Sequence, residues 1–134
     1  MKAYVLDAGA LFSYLENTPS AGKVNEILKE ANYRRAEIMM SAVNYGEVYG
    51  SLLRVRGIDR ARSLMSAVRP LPIQLLDATP LRALRAADVK ATYSLYYADS
   101  FAAALALEFK ATLVTSDSDF RKLGHGFPML WLKN

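Results

Sequence analysis

An α/β fold, a mainly parallel sheet with helices on both faces, is predicted by the sequence from three observations. Short apolar runs suited to strands alternate along the chain with longer segments of helical periodicity. Helices rather than tight turns therefore join the strands, which favours parallel neighbours. The stretch from Tyr97 to Phe120, finally, reads as a buried helix followed by a buried strand with an acidic residue at one end of each, and the other elements are arranged around it. The 134 residues suffice for one substantial core and are too few for two, and no repeat, low-complexity run or linker divides them. A single domain over residues 1–134 is expected.

Lys2 to Leu6 is the first strand, apolar through Val5 and Leu6, and it runs directly into Asp7-Ala8-Gly9. Asp7 therefore stands at the carboxyl end of a strand. Ala8 to Leu15 follows as a short helix, Asn17-Thr18-Pro19-Ser20 interrupts the chain, and from Ala21 to Ala31 the residues Val24, Ile27, Leu28 and Ala31 recur at helical spacing. Ala36 to Met40 is the second strand. Ser41 or Asn44 can cap the next helix, whose Val48, Leu52 and Val55 form an apolar stripe and whose Glu47 lies near its start. Gly57 ends that helix, because glycine adopts the left-handed conformation cheaply.

Ile58 to Val68 is a further helix, stopped by Arg69-Pro70-Leu71-Pro72, and Ile73 to Leu76 supplies the third strand. Thr79-Pro80 is a clean helix entry, a capping hydroxyl followed by proline at the first helical position, and this helix runs to about Val89. The central helix, Ala98 to Lys110, is apolar nearly all round: Phe101, Leu105 and Phe109 make one row, and alanines beside Asp99 leave room for another backbone. Thr112 to Thr115 is a short buried strand that stops at Ser116-Asp117-Ser118-Asp119, residues that favour turns and helix starts. Phe120 to Leu123 suits one helical turn, closed by Gly124-His125-Gly126, and Met129 to Leu132 suits a last strand.

With 52% hydrophobic and 22% charged residues the composition is that of an ordinary globular protein. No cysteine is present, so disulfides and thiolate sites are excluded, and a metal ion would have to be held by oxygen or by His125, the single histidine. No stretch is apolar enough to cross a bilayer and the amino terminus lacks a signal-peptide pattern, so a cytoplasmic protein without a membrane partner is expected. The net charge of +4 suits a polyanionic partner without demanding one.

In an open parallel sheet, ligands collect beyond the carboxyl ends of the strands. Asp7 and Asp117 end strands, Asp99 opens the central helix and Glu47 lies early in another, so all four can converge at one end of the sheet. Like charges about 4 Å apart repel by roughly 4 kcal/mol at an effective dielectric near 20, and such a cluster must share protons or bind a cation. An all-carboxylate set suits a hard divalent ion, Mg²⁺ or Mn²⁺, and such an ion can orient a phosphodiester, activate a water and offset charge on the leaving oxygen. Cleavage of a nucleic-acid backbone is the chemistry that follows.

Each residue also has a plainer reading. An aspartate after a strand is commonly a turn residue or helix cap, which applies to Asp7, Asp117 and Asp119, and Glu47 alone reads as a solvated helix charge. Asp99 heads an otherwise apolar helix, where it is either a cap or a functional group. Glu16, Glu26, Glu30, Glu37, Asp59, Asp77, Asp88 and Glu108 read as solvated charges, and His125 as a loop residue. Arg54, Arg56, Arg60, Arg62 and Arg69 either cover helix faces or track a phosphate backbone. Tyr45, Tyr49, Tyr93, Tyr96 and Tyr97 offer base stacking, although packing is the commoner role for tyrosine.

Taken together, Asp7 after the first strand, Glu47 in the third helix, Ala98-Asp99-Ser100 opening the central helix and Thr115-Ser116-Asp117-Ser118-Asp119-Phe120 resemble a PIN-domain ribonuclease. The resemblance spans nearly the whole chain, and the length, order and spacing are similar to those of the VapC toxins of type II toxin-antitoxin pairs. It implies a three-layer fold around a five-stranded sheet in the order 3-2-1-4-5 and an endoribonuclease dependent on Mg²⁺ or Mn²⁺. Asp7, Glu47, Asp99 and Asp117 would then be the acidic metal cluster, Asp119 an auxiliary acid and Thr115 a supporting hydroxyl. A homodimer and a small antitoxin whose tail occludes the site are implied as well. One position departs from the pattern: Gly9 stands where the family usually has serine, threonine or asparagine, leaving that role to Thr115 or Ser116.

Two other readings compete. A phosphoryl-transfer enzyme on a doubly wound sheet also places aspartate after the first strand, yet a dehalogenase-like one wants a second aspartate at position 9, which is glycine. A catalytically silent domain that keeps the fold for protein binding is the other alternative.

Overall fold

The computed structural model describes residues 1–133; Asn134, the last residue of the expected domain, lies outside the described residues. Five strands, β1 (Lys2–Leu6), β2 (Ala36–Ser41), β3 (Gln74–Leu76), β4 (Thr112–Thr115) and β5 (Met129–Trp131), form one sheet. Its order is β3-β2-β1-β4-β5 and every pairing is parallel, as expected. The helices are α1 (Ala8–Leu15), α2 (Ala21–Asn32), α3 (Ala42–Arg56), α4 (Ile58–Ser66), α5 (Pro80–Tyr93) and α6 (Tyr97–Phe109), with a 3-10 helix at Ser118–Leu123.

Alternation along β1 divides the core. Tyr4 and Leu6 pack with Val24, Ile27 and Leu28 of α2, whereas Val5 packs with the alanine face of α6. Met40 of β2 joins Val48 and Leu52 of α3 and Ala61 of α4 in a third cluster. Helix α6 lies against α3, α5, β1, β2 and β4. Ala102, Ala103, Ala104 and Ala106 are buried there, and their small side chains let the helix approach the sheet closely. Phe120, 1% exposed, pins the turn after β4 into the same cluster, and truncating such a ring costs about 3–5 kcal/mol.

Several boundaries differ from the sequence expectation. Ser41, not Asn44, caps α3, accepting the Val43 N–H at 3.2 Å. Ile73 donates its N–H to Leu71 in a turn, which delays β3 to Gln74. Helix α5 continues past Val89 to Tyr93, where Ser94 ends it with φ +58°. The central helix is also less uniformly interior than its composition suggests: Phe101 and Leu105 are buried, but Phe109 and Leu107 emerge at its last turn. Val55 likewise leaves the core that buries Val48 and Leu52.

Candidate active site

Strands β1 and β4 are neighbours, so the residues that follow them meet at one end of the sheet. Asp7 caps α1: its Oδ1 accepts the Ala10 N–H at 2.8 Å and its Oδ2 accepts the Thr115 hydroxyl. The Thr115 oxygen also accepts the Asp117 N–H at 2.9 Å, and Asp117 Oδ1 accepts the Asp119 N–H at 2.9 Å. A single buried hydroxyl thus ties the ends of two strands together and orients the turn that carries the next two acids. The plainer reading of Asp7 and Asp117 as caps is correct, and it coexists with clustering, because capping is what holds them here.

Helix α6 brings Asp99 to the same place. Tyr96 is its N-cap residue, without a side-chain cap hydrogen bond, and Asp99 sits in the first turn, half-buried. No hydrogen bond reaches its carboxylate among the described residues, so the capping reading of Asp99 falls. One carboxylate oxygen each from Asp99, Asp117 and Asp119 lie within 4.8 Å of one another. Asp119 therefore belongs to the tightest group of acids and is not itself the cap of the turn. Asp7 and Glu47 flank this triad, close enough for Asp7 to feel Asp99 and Asp117, and for Asp99 to feel Glu47.

The electrostatic result is two displaced protons. Burial, reinforced by Asp99 and Asp117, pushes Asp7 up from 3.8 to about 7 against the pull of its Thr115 and Ala10 hydrogen bonds. Burial and then the charges of Asp117, Glu47 and Asp119 push Asp99 up to about 6. Near neutral pH the site is an acid cluster that ionises only at a cost.

Glu47 lies on the second turn of α3 and is exposed, yet it is not merely solvated. Its Oε1 accepts Asn44 Nδ2 at 2.8 Å, and the same amide donates to the Ala98 carbonyl at 2.9 Å. Asn44 is buried, and its Oδ1 has no partner among the described residues. It links Glu47 to the head of α6 next to Asp99, a role that sequence reasoning missed. The available signal was an asparagine one helical turn before an acid, a spacing that shares a face.

The PIN domain family model matches residues 4–126, more than half of the chain. This chain belongs to the PIN domain family. No curated protein matches the sequence. Among solved structures, a chain of VapBC2 from Rickettsia felis, bound to a DNA fragment from their promoter, is 14% identical with a TM-score of 0.78, covering 98% of this chain and 99% of that one. VapBC-1 from nontypeable Haemophilus influenzae is 17% identical with a TM-score of 0.68, covering 96% and 97%. VapC20 from Mycobacterium tuberculosis, a sarcin-ricin loop cleaving toxin, is 16% identical with a TM-score of 0.66, covering 90% and 95%. At these identities the likeness is one of fold.

In this PIN domain the donor set fits a hard cation. The triad offers only carboxylate oxygens, two flanking acids add negative charge, and burial followed by mutual repulsion raises the proton affinities of Asp7 and Asp99. A Cβ on Gly9 would lie 3.6 Å from Asp7 Oδ1, an ordinary contact, so a side chain is sterically allowed there, and Thr115 supplies the hydroxyl on Asp7. Ser116, half-buried, follows Thr115 at the end of β4.

The arginines lie elsewhere. Arg54 and Arg56 sit in the last turn of α3 and Arg60 and Arg62 on α4, beyond the end of α3 that carries Glu47. All four are exposed, but Arg56 donates to Glu16 at 2.9 Å and Arg62 to the Tyr49 hydroxyl at 3.4 Å. Glu16 is thus ion-paired, not solvated, and so is Glu108, which meets Arg82 and Arg85. Tyr45, Tyr49 and Tyr93 pack against the core, and Tyr97 stands edge-on to Phe101 with its hydroxyl on the Ala83 carbonyl. Of these tyrosines only Tyr96, 72% exposed, keeps an open ring.

Proposed function

We propose that this protein is an endoribonuclease dependent on Mg²⁺ or Mn²⁺ and the toxin of a type II toxin-antitoxin pair, with its chain forming a single domain. The observation that carries the reading is the convergence of Asp99, Asp117 and Asp119, flanked by Asp7 and Glu47, where Asp99 has repulsive neighbours and no hydrogen-bond donor. The structural likeness to VapC20, named as a sarcin-ricin loop cleaving toxin, supports RNA as the substrate. The likeness to VapBC assemblies supports an antitoxin partner. A homodimer and a cytoplasmic site of action belong to the same reading.

Asp99, Asp117 and Asp119 would hold the metal ion, with Asp7 and Glu47 completing its acidic surroundings. When bound, such an ion orients the phosphodiester, brings a water into nucleophile range and offsets charge on the leaving oxygen. The chain's own work is positional. Thr115 holds the Asp7 carboxylate and the Asp117 backbone at once, so the strand ends cannot splay. Asn44 keeps Glu47 beside the first turn of α6. Arg54, Arg60 and Arg62 would meet phosphates away from the cleaved bond, Arg62 also donating to Tyr49, whereas Arg56 is engaged by Glu16.

Purified protein incubated with single-stranded or structured RNA is expected to cut it with Mg²⁺ or Mn²⁺ and to stop when EDTA is added. Asp99→Asn should slow cleavage at least about 100-fold, the scale on which even outer-shell changes at metal sites are felt. Cleavage at an unchanged rate in that variant would reject the assignment.

A further inference from the structure

Beside the acid cluster lies a second feature that the cleavage chemistry does not use. A cavity of about 600 Å³ opens between the 3-10 helix, the loop that follows it and edge strand β5. Its walls include Phe120, Arg121, His125, Phe127, Met129 and Trp131. Trp131 is 41% exposed, so part of its ring stays open to solvent at the cavity. The Arg121 guanidinium lies over that ring, 5.9 Å from its centroid. Among the described residues no carboxylate lines the cavity.

The position of the cavity matters as much as its lining. In the sheet register Trp131 is the partner of Thr115, the residue that holds Asp7. Asp119 and Arg121 are two residues apart on one 3-10 helix, so the acid group and the cavity wall share an element. The cavity thus lies on the element that carries Asp119 and beside the strand that ends at Thr115. Flat aromatic surface combined with a cation is the chemistry that recognises an unpaired nucleobase and its phosphate. An arginine here also counters the negative field that the acid cluster sets against an approaching polyanion.

We propose that this cavity is a nucleobase subsite, in which a base of single-stranded RNA next to the cleaved linkage stacks on Trp131 while Arg121 pairs with its phosphate. The proposal rests on the ribonuclease reading, and it assigns the neighbouring residues a role in seating substrate. Stacking tolerates any base, so the subsite favours unpaired over paired RNA without choosing a sequence.

Trp131 is the only tryptophan in the chain, so its fluorescence reports this cavity alone. The full-length Asp99→Asn protein, expected to cut RNA at least about 100-fold more slowly, is titrated with a short single-stranded RNA oligomer and with the matching sugar–phosphate oligomer that lacks bases. The RNA should quench the emission and the base-free oligomer should not. Trp131→Leu should weaken RNA affinity roughly 5- to 100-fold and Trp131→Phe should restore most of it, while Arg121→Met weakens binding and reduces its salt dependence. Equal quenching by both oligomers, or unchanged affinity in Trp131→Leu, overturns the proposal. Quenching by an acidic peptide with none by RNA also overturns it, in favour of a protein tail as the occupant. The two readings separate cleanly: cleavage by the unsubstituted protein without quenching removes only the subsite. Quenching without cleavage under any metal supports the subsite and removes the nuclease.

Discussion

Two carboxylates at the same end of the sheet are held in opposite ways. At the junction of β1 and α1, Asp7 is buried and both of its oxygens are occupied, one by the Ala10 N–H and the other by the Thr115 hydroxyl. At the head of α6, Asp99 is half-buried and faces Asp117, Glu47 and Asp119 with no donor of its own among the described residues. The first is built into the scaffold. The second is positioned by its helix and left electrostatically unsatisfied, which is the condition in which a carboxylate gains most from a cation. A fold can therefore prepare one acid for structure and its neighbour for binding.

The largest test of this contrast is pH. Both acids bind protons more tightly folded than unfolded, so the folded chain carries the extra protons and the slope of unfolding free energy against pH is negative between them. Their stabilising contribution is fully present below about 3.8 and is lost as pH rises through about 6 for Asp99 and about 7 for Asp7. In EDTA the melting temperature should fall across that window, with Asp7 responsible for a few kcal/mol at most, since each tenfold change in proton affinity is worth about 1.4 kcal/mol. Adding Mg²⁺ or Mn²⁺ on the alkaline side should raise it again. A melting temperature that is flat across the window and indifferent to metal would remove the cost on which the contrast stands.

Mutation at the two places should act with opposite sign. Thr115→Val deprives Asp7 of its donor and the Asp117 N–H of its acceptor, and should lower the unfolding free energy by about 1–3 kcal/mol in a urea melt. Asp99→Asn removes a repelled charge and should raise the melting temperature by roughly 2–5 °C in EDTA above neutral pH. The same sign in both variants would mean that Asp99 is scaffold too. The smallest effect is expected from Gly9→Ser, which adds a hydroxyl beside Asp7 and relieves a helical glycine, a gain of about 0.5 kcal/mol at most. A loss at that position would show that the space beside Asp7 is needed empty.

The alternation that predicts the sheet is local, and local signals survive folding. Thr79-Pro80 opens α5, Gly57 closes α3 with φ +78°, and Asp7 follows β1 directly, because each depends on neighbours in the chain. Asn44 reads from sequence as one of two candidate caps for α3, but its partner across the site, the Ala98 carbonyl, is 54 positions away. Glu16 and Glu108 look like solvated charges until packing brings Arg56 from 40 positions away and Arg82 from 26. Phe109 and Leu107 belong to an apolar helix by composition, and only packing shows that its last turn is exposed.

By itself the sequence determined which segments are strands and helices, and that acids end two of the strands and open a helix, since periodicity, capping and turn chemistry act over a few residues. Tertiary structure alone decided which acids bring their oxygens together. It drew Asp119 into the triad and left Asp7 and Glu47 at its flanks. It also set Trp131 beside the end of β4, because strand register and helix packing place groups that no stretch of chain connects.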